Sequence, residues 1–70
     1  MSKQEITQSN KEAVAKSELP FVEQSKNVYR LKTARGAVVF YAESGKWLHR
    51  GRSFQGFPSL IVWLKEEKLV

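Results

Sequence analysis

Cysteine and aspartate are both missing from this 70-residue chain, and histidine occurs once, as His49. Without thiols no disulfide can staple the fold and no thiolate metal site can form. Without Asp there is no paired-aspartate or Ser-His-Asp site, and one His is too few for a His-rich metal centre. The longest apolar run, Ala37 to Ala42, falls far below the roughly 20 residues that span a bilayer. The opening Met1-Ser2-Lys3-Gln4-Glu5 lacks the apolar stretch of a secretory leader. These absences lead to the expectation of a soluble, cytoplasmic protein with no cofactor, no metal and no membrane attachment. His49 has only Ser or Glu as possible catalytic partners, at spacings that are not diagnostic. A surface imidazole bonded to solvent or phosphate fits it better than a general base, and no enzymatic activity is expected.

Glycine is scarce as well. Gly36, Gly45, Gly51 and Gly56 lack both the P-loop ending and the GxGxxG spacing, so they read as turn residues rather than a phosphate cradle. A chain this short makes one domain and buries only about 60% of its unfolded surface. Its stability must come from tight packing or from self-association.

Positive charge is present in excess, and it is concentrated. Between Arg30 and Arg52 lie Arg30, Lys32, Arg35, Lys46, Arg50 and Arg52 against one acid, Glu43, which accounts for the whole formal net charge of +5. Lysines and glutamates balance before residue 27 and again after residue 52. Tyr29, Phe40, Tyr41 and Trp47 are interleaved with the cations. Cations for phosphates and aromatic faces for bases are the ingredients of nucleic-acid binding. The same charges also suit solvated strand edges that discourage aggregation.

Hydrophobic patterning divides the chain near residue 27. Residues 1–26 read as a flexible, mostly disordered arm, with a short helix over 10–18 started by a Ser9–Glu12 capping box and stopped by Pro20. Leu19, Phe21 and Val22 are its apolar exception, able to dock on the domain or on a partner. Residues 27–70 read as a small β-β-β-α domain of the α+β class. Val28 to Thr33 alternates, with Tyr29 and Leu31 inward and Arg30 and Lys32 outward. Ala37 to Ala42 is the central strand, and Lys46 to Arg50 the third strand of the meander. After a connection over Gly51–Phe57 comes a helix with Pro58 in its first turn. Leu60, Ile61, Trp63 and Leu64 form its core stripe, while Val62 and Leu69, with Val70, form a second apolar stripe that a homodimer or another partner could cover.

Three antiparallel strands followed by one packed helix resembles the plan of the AP2-like DNA-binding domains, including the amino-terminal domains of tyrosine-type integrases. The resemblance is carried by Gly45-Lys46-Trp47, by the Arg52-Ser53-Phe54 step and by Leu60 to Glu66, over about 40 residues. It departs at Pro58 and in the Gly51–Phe57 connection. It implies that the exposed sheet face enters the major groove of DNA.

The functional expectation is therefore a small, non-enzymatic nucleic-acid-binding protein, with DNA favoured over RNA. Its site comprises Arg30, Lys32, Arg35, Tyr41, Lys46, Trp47, His49, Arg50 and Arg52. In this reading Trp47 and His49 share the outer sheet face with Arg30 and Lys32; the other orientation buries Trp47 in the core. The alternative is a small adaptor or inhibitor that binds another protein through the basic face and the Leu19–Val22 segment. Phages and mobile elements are a plausible source for either.

Overall fold

The computed structural model describes residues 3–69. It is an α+β fold in which a five-stranded antiparallel sheet, in the simple order β1-β2-β3-β4-β5, carries both helices on one side. In chain order the elements are α1 (Lys3–Lys16), β1 (Val22–Ser25), β2 (Val28–Thr33), β3 (Gly36–Tyr41), β4 (Lys46–His49), β5 (Arg52–Gln55) and α2 (Phe57–Glu66).

The three expected strands are β2, β3 and β4, but the sheet is wider by one strand at each edge. β1 pairs with β2 through a two-residue turn, Lys26-Asn27, in which Asn27 takes the left-handed conformation (φ 62). A two-residue hairpin requires positive φ, and Asn accepts it more readily than most residues. β5 occupies most of the stretch expected as a loose connection after Gly51. It pairs with β4 about Arg50-Gly51, whose φ values of 51 and 78 match a type I′ turn.

The amino-terminal segment is likewise not a disordered arm. It forms α1 from Lys3 onward, so Ser9 and Glu12 lie within the helix and not at its start. α1 is held by Val14, which is buried in the common core, and by Asn10, whose Nδ2 donates to the Ala42 carbonyl at 2.7 Å. An isolated helix of this polarity would be marginal, and tertiary contacts supply what propensity does not. The expected boundary at residue 27 falls inside the β1–β2 hairpin.

With so few glycines, other residues take the left-handed caps. Glu18 after α1 (φ 57) and Lys68 after α2 (φ 57) both do so. After α2, Lys68 N–H donates to the Lys65 carbonyl and Leu69 N–H to the Leu64 carbonyl. That is a Schellman closure, and it folds Leu69 back against the core. Leu69 therefore does not share an outward stripe with Val62, which is 54% exposed, and Val70 lies outside the described residues.

The core lies between the sheet and the helices. Leu31, Val38, Phe40 and Trp47 from the strands meet Phe57, Leu60 and Leu64 from α2 and Val14 from α1. Leu19 and Phe21 close its margin, and the Phe21 ring lies 6.1 Å from that of Phe57. The expected stripe of α2 holds: Leu60 and Leu64 are fully buried, and Ile61 and Trp63 flank them. Trp47 is the largest side chain inside. It stacks on Phe54 at 4.3 Å, meets Trp63 at 5.7 Å, and donates from Nε1 to Ser59 Oγ at 3.0 Å.

Replacing Trp47 with Ala should cost about 3–5 kcal/mol, the range for large aromatic truncations in cores. That approaches everything a core of this size supplies. Urea unfolding followed by far-UV circular dichroism should find the variant unfolded or nearly so. A loss below about 1 kcal/mol would show that Trp47 is not a core residue.

Candidate functional site

Strand pairing assigns every sheet residue to a side, because residues directly opposite in an antiparallel pair share a face. Tyr29↔Phe40, Phe40↔Trp47 and Trp47↔Phe54 run across the helix-covered side. The next positions along the strands, Val22↔Arg30, Arg30↔Val39, Val39↔Leu48 and Leu48↔Ser53, run across the open side. The rows Lys32↔Ala37 and Val28↔Tyr41↔Lys46↔Gln55 lie on the open side as well.

The nine expected site residues divide into three groups. Arg30, Lys32, Tyr41 and Lys46 do occupy the open face. Trp47 and His49 do not: Leu48 is the outward residue of β4, and the residues on either side of it turn toward the helices. Trp47 is 1% exposed and unavailable for stacking on a base. His49 is half-buried, its ring 4.6 Å from that of Trp63. His49 Nε2 lies 2.8 Å from the Arg35 carbonyl, and a carbonyl oxygen only accepts, so Nε2 carries the proton. The reason for the correction is the apolar demand of the core. Phe40 faces inward, and its cross-strand partner Trp47 must share that side.

Arg35, Arg50 and Arg52 form the third group. They sit at the end of the sheet where the β2–β3 and β4–β5 turns lie side by side, and they lean to the helix side. Arg35 pairs with Glu67, just beyond α2, at 3.6 Å. Arg50 Nε lies 3.6 Å from where a Cβ on Gly36 would stand, on the inward side of β3. Arg52 is opposite His49.

No strand position of the open face carries a carboxylate. Glu5, Glu12, Glu66 and Glu67 belong to or adjoin the helices, and Glu23 is opposite the inward Tyr29. Burial pushes the Tyr29 phenol above its ordinary value, and the nearby Glu23 carboxylate adds to the effect. Glu43 lies in the β3–β4 turn, where one of its oxygens accepts from Asn27 Nδ2 at 3.1 Å. At that end of the open face Glu43, Lys26, Val28, Tyr41, Lys46 and Leu48 border a shallow groove of about 470 Å³, so one carboxylate stands at the rim of the face. At the opposite corner Val22, Arg30 and Lys32 line a second shallow depression.

The face that emerges is basic at its strand positions, floored by aliphatic residues and by one aromatic ring, that of Tyr41. Sequence reasoning missed its apolar floor, Val39 and Leu48. The signal was present in the equal spacing of Trp47 and Phe54 about Arg50-Gly51, which marks a hairpin and sets both aromatics on one side. Among the described residues no cluster of His and carboxylates is placed to hold a metal ion, and no helix is long and apolar enough to cross a membrane.

No family model, no curated protein and no solved structure matches the chain. The AP2-like plan is shared only in the order of three central strands and a following helix. The Ser53-Phe54 step that carried part of that resemblance belongs to an additional strand here.

Arg50, in the β4–β5 turn, takes the left-handed conformation at φ 51. The left-handed conformation costs a side-chain-bearing residue roughly 1–2 kcal/mol, and Asn tolerates it better. Arg50→Asn should therefore stabilise the fold by up to about 1 kcal/mol, raising the melting temperature by about 4–8 °C in a domain of this size. A melting temperature that falls, in a scan by circular dichroism, would show that the guanidinium itself supports the fold.

Proposed function

We propose that the chain is a small nucleic-acid-binding protein that uses the open sheet face, with Arg30, Lys32 and Lys46 meeting phosphates and Tyr41 lying against the sugar or base edges. One observation carries the reading. Both helices cover one side of the sheet, and the uncovered side has three cations and no carboxylate at its strand positions. The strand positions of that side present positive charge toward an approaching polyanion, with Glu43 at its border engaged by Asn27 Nδ2.

Duplex DNA suits the face better than a single strand. Sequence-tolerant binding of unstacked bases needs several exposed aromatic rings, and among the described residues of the open face Tyr41 alone supplies one, with Trp47 in the core and Phe54 on the other side of the sheet. β2 and β4, the two strands that carry the cations, stand about 10 Å apart across β3, at roughly 4.8 Å between neighbours, which is close to the 12 Å or so of the major groove of B-form DNA. The major groove of duplex RNA is deep and narrow and excludes such a surface. The non-enzymatic reading rests on the lack of catalytic partners around His49, whose ring is engaged with Trp63 and the Arg35 carbonyl.

A protein partner is the second reading, and the apolar row Val22, Val39 and Leu48 favours it, since Val22 is 66% exposed. The partner would be acidic, to match Arg30 and Lys32. A homodimer through this face would bring like charges together and is disfavoured.

Fluorescence anisotropy with duplex DNA, single-stranded DNA and duplex RNA at several salt concentrations separates these readings. The expected order places duplex DNA first. The slope of log K against log salt should be about −3, as for three neutralised phosphates. The double change Arg30→Ala and Lys32→Ala should leave the fold intact and reduce the slope by nearly two. Weak binding to all three polymers, indifferent to the double change, would abandon the nucleic-acid reading in favour of the acidic protein.

A further inference from the structure

The arginine-rich end of the sheet is a site in its own right. Two hairpin turns lie side by side there. In the β2–β3 turn, Arg35 is followed by Gly36 at φ +109, a conformation few other residues adopt. In the β4–β5 turn, Arg50 occupies a left-handed position that Asn or Gly would fill at lower cost. The two turns are tied together by His49, which donates from Nε2 to the Arg35 carbonyl. The side chains of Arg50 and His49 both reach the space above Gly36, 3.6 Å and 3.7 Å from the place of a Cβ. Arg52, opposite His49, completes the group.

Charge at this end is not balanced. Among the described residues Arg50 and Arg52 make no ion pair, and the one carboxylate at the cluster is Glu67. Its 3.6 Å contact with Arg35 joins two exposed side chains, a kind of pair that contributes little and is readily displaced. Arg35 and Arg50 on the two turns and Arg52 at the start of β5 gather three like charges at one end of the sheet, which argues for a ligand that neutralises them.

We propose that Arg35, Arg50 and Arg52 bind a phosphate monoester. A diester carries one negative charge, whereas a monoester carries about −1.5 to −2 at neutral pH and presents three strong acceptor oxygens. Guanidinium forks match those oxygens with paired, charge-assisted hydrogen bonds, a geometry that lysine does not provide. The monoester is either a free one or the terminal phosphate of a nucleic acid. The site lies on the helix side of the sheet, so it does not depend on what the open face binds.

Titration of the full chain with inorganic phosphate, at constant ionic strength against chloride, tests the site by amide nuclear magnetic resonance. Saturable shifts are expected at Arg35, Gly36, Arg50, Gly51 and Arg52. Arg50→Asn, which keeps a residue suited to the turn, should weaken that binding by about tenfold, the loss expected for one charged hydrogen-bonding partner, while its spectrum stays dispersed. Shifts that do not saturate, or that survive unchanged in Arg50→Asn, overturn the proposal. Duplexes with 5′-phosphate and 5′-hydroxyl ends identify the source. Tighter binding of the phosphorylated end, lost in Arg50→Asn, supports a nucleic-acid terminus; equal binding of the two ends beside saturable inorganic phosphate supports a free monoester.

Discussion

Phe40 and Trp47 stand opposite each other across β3 and β4, and that pairing decides which side of the sheet the helices cover. Side chains alternate along a strand, so a slip of one residue would turn Leu48 inward and drive Trp47 into water. Several contacts hold the register against that slip. The Trp47 indole lies on Phe54 of the neighbouring strand and donates to Ser59 in the first turn of α2. The Ser59 hydroxyl sits within 2.9 Å of the Gln55 carbonyl and 2.8 Å of the Gly56 carbonyl, binding the start of the helix to the end of β5. One buried ring thus joins β4, β5 and α2.

From this constraint follows the separation of charge between the two sides. Once the inward positions are taken by Leu31, Val38, Phe40 and Trp47, the cations of β2 and β4 have only the other side to occupy. Both helices, with most of the acids, are gathered on the covered side. The open side keeps Arg30, Lys32 and Lys46 above an apolar floor, while the turn residues Arg35 and Arg50 and the first residue of β5, Arg52, are carried to the sheet end. The basic stretch of the chain is one cluster in sequence and two surfaces in space.

Alternation in Val28–Thr33 and the helical stripe of Leu60, Ile61, Trp63 and Leu64 were legible in the sequence, because both are half-buried elements with a period imposed by the core. The edge strands were not. Val22–Ser25 and Arg52–Gln55 are exposed along their whole lengths, so no burial period marks them. The turn that makes β5 places Arg where Asn or Gly is the usual signal. α1 was obscured for a related reason: a polar helix with one deeply buried side chain, Val14, leaves little amphipathic pattern to read. The orientation of Trp47 was open from β4 alone, since the Lys46-to-Arg50 stretch is too short to fix a side. The cross-strand partners of Trp47, Phe40 on β3 and Phe54 seven residues on in β5, resolve it.

Two sheet surfaces of opposite character can be told apart by their methyl groups. Val39 and Leu48 lie on the open face, whereas Leu60, Ile61 and Val62 lie on the helix that covers the other side. Adding a short DNA duplex to methyl-labelled protein should shift and broaden Val39 and Leu48, together with the amides of Arg30, Lys32, Tyr41 and Lys46, and leave the α2 methyls unmoved. Perturbation centred on α1 and α2, with the Val39 and Leu48 methyls unchanged, would contradict the assignment of the open sheet face as the binding surface.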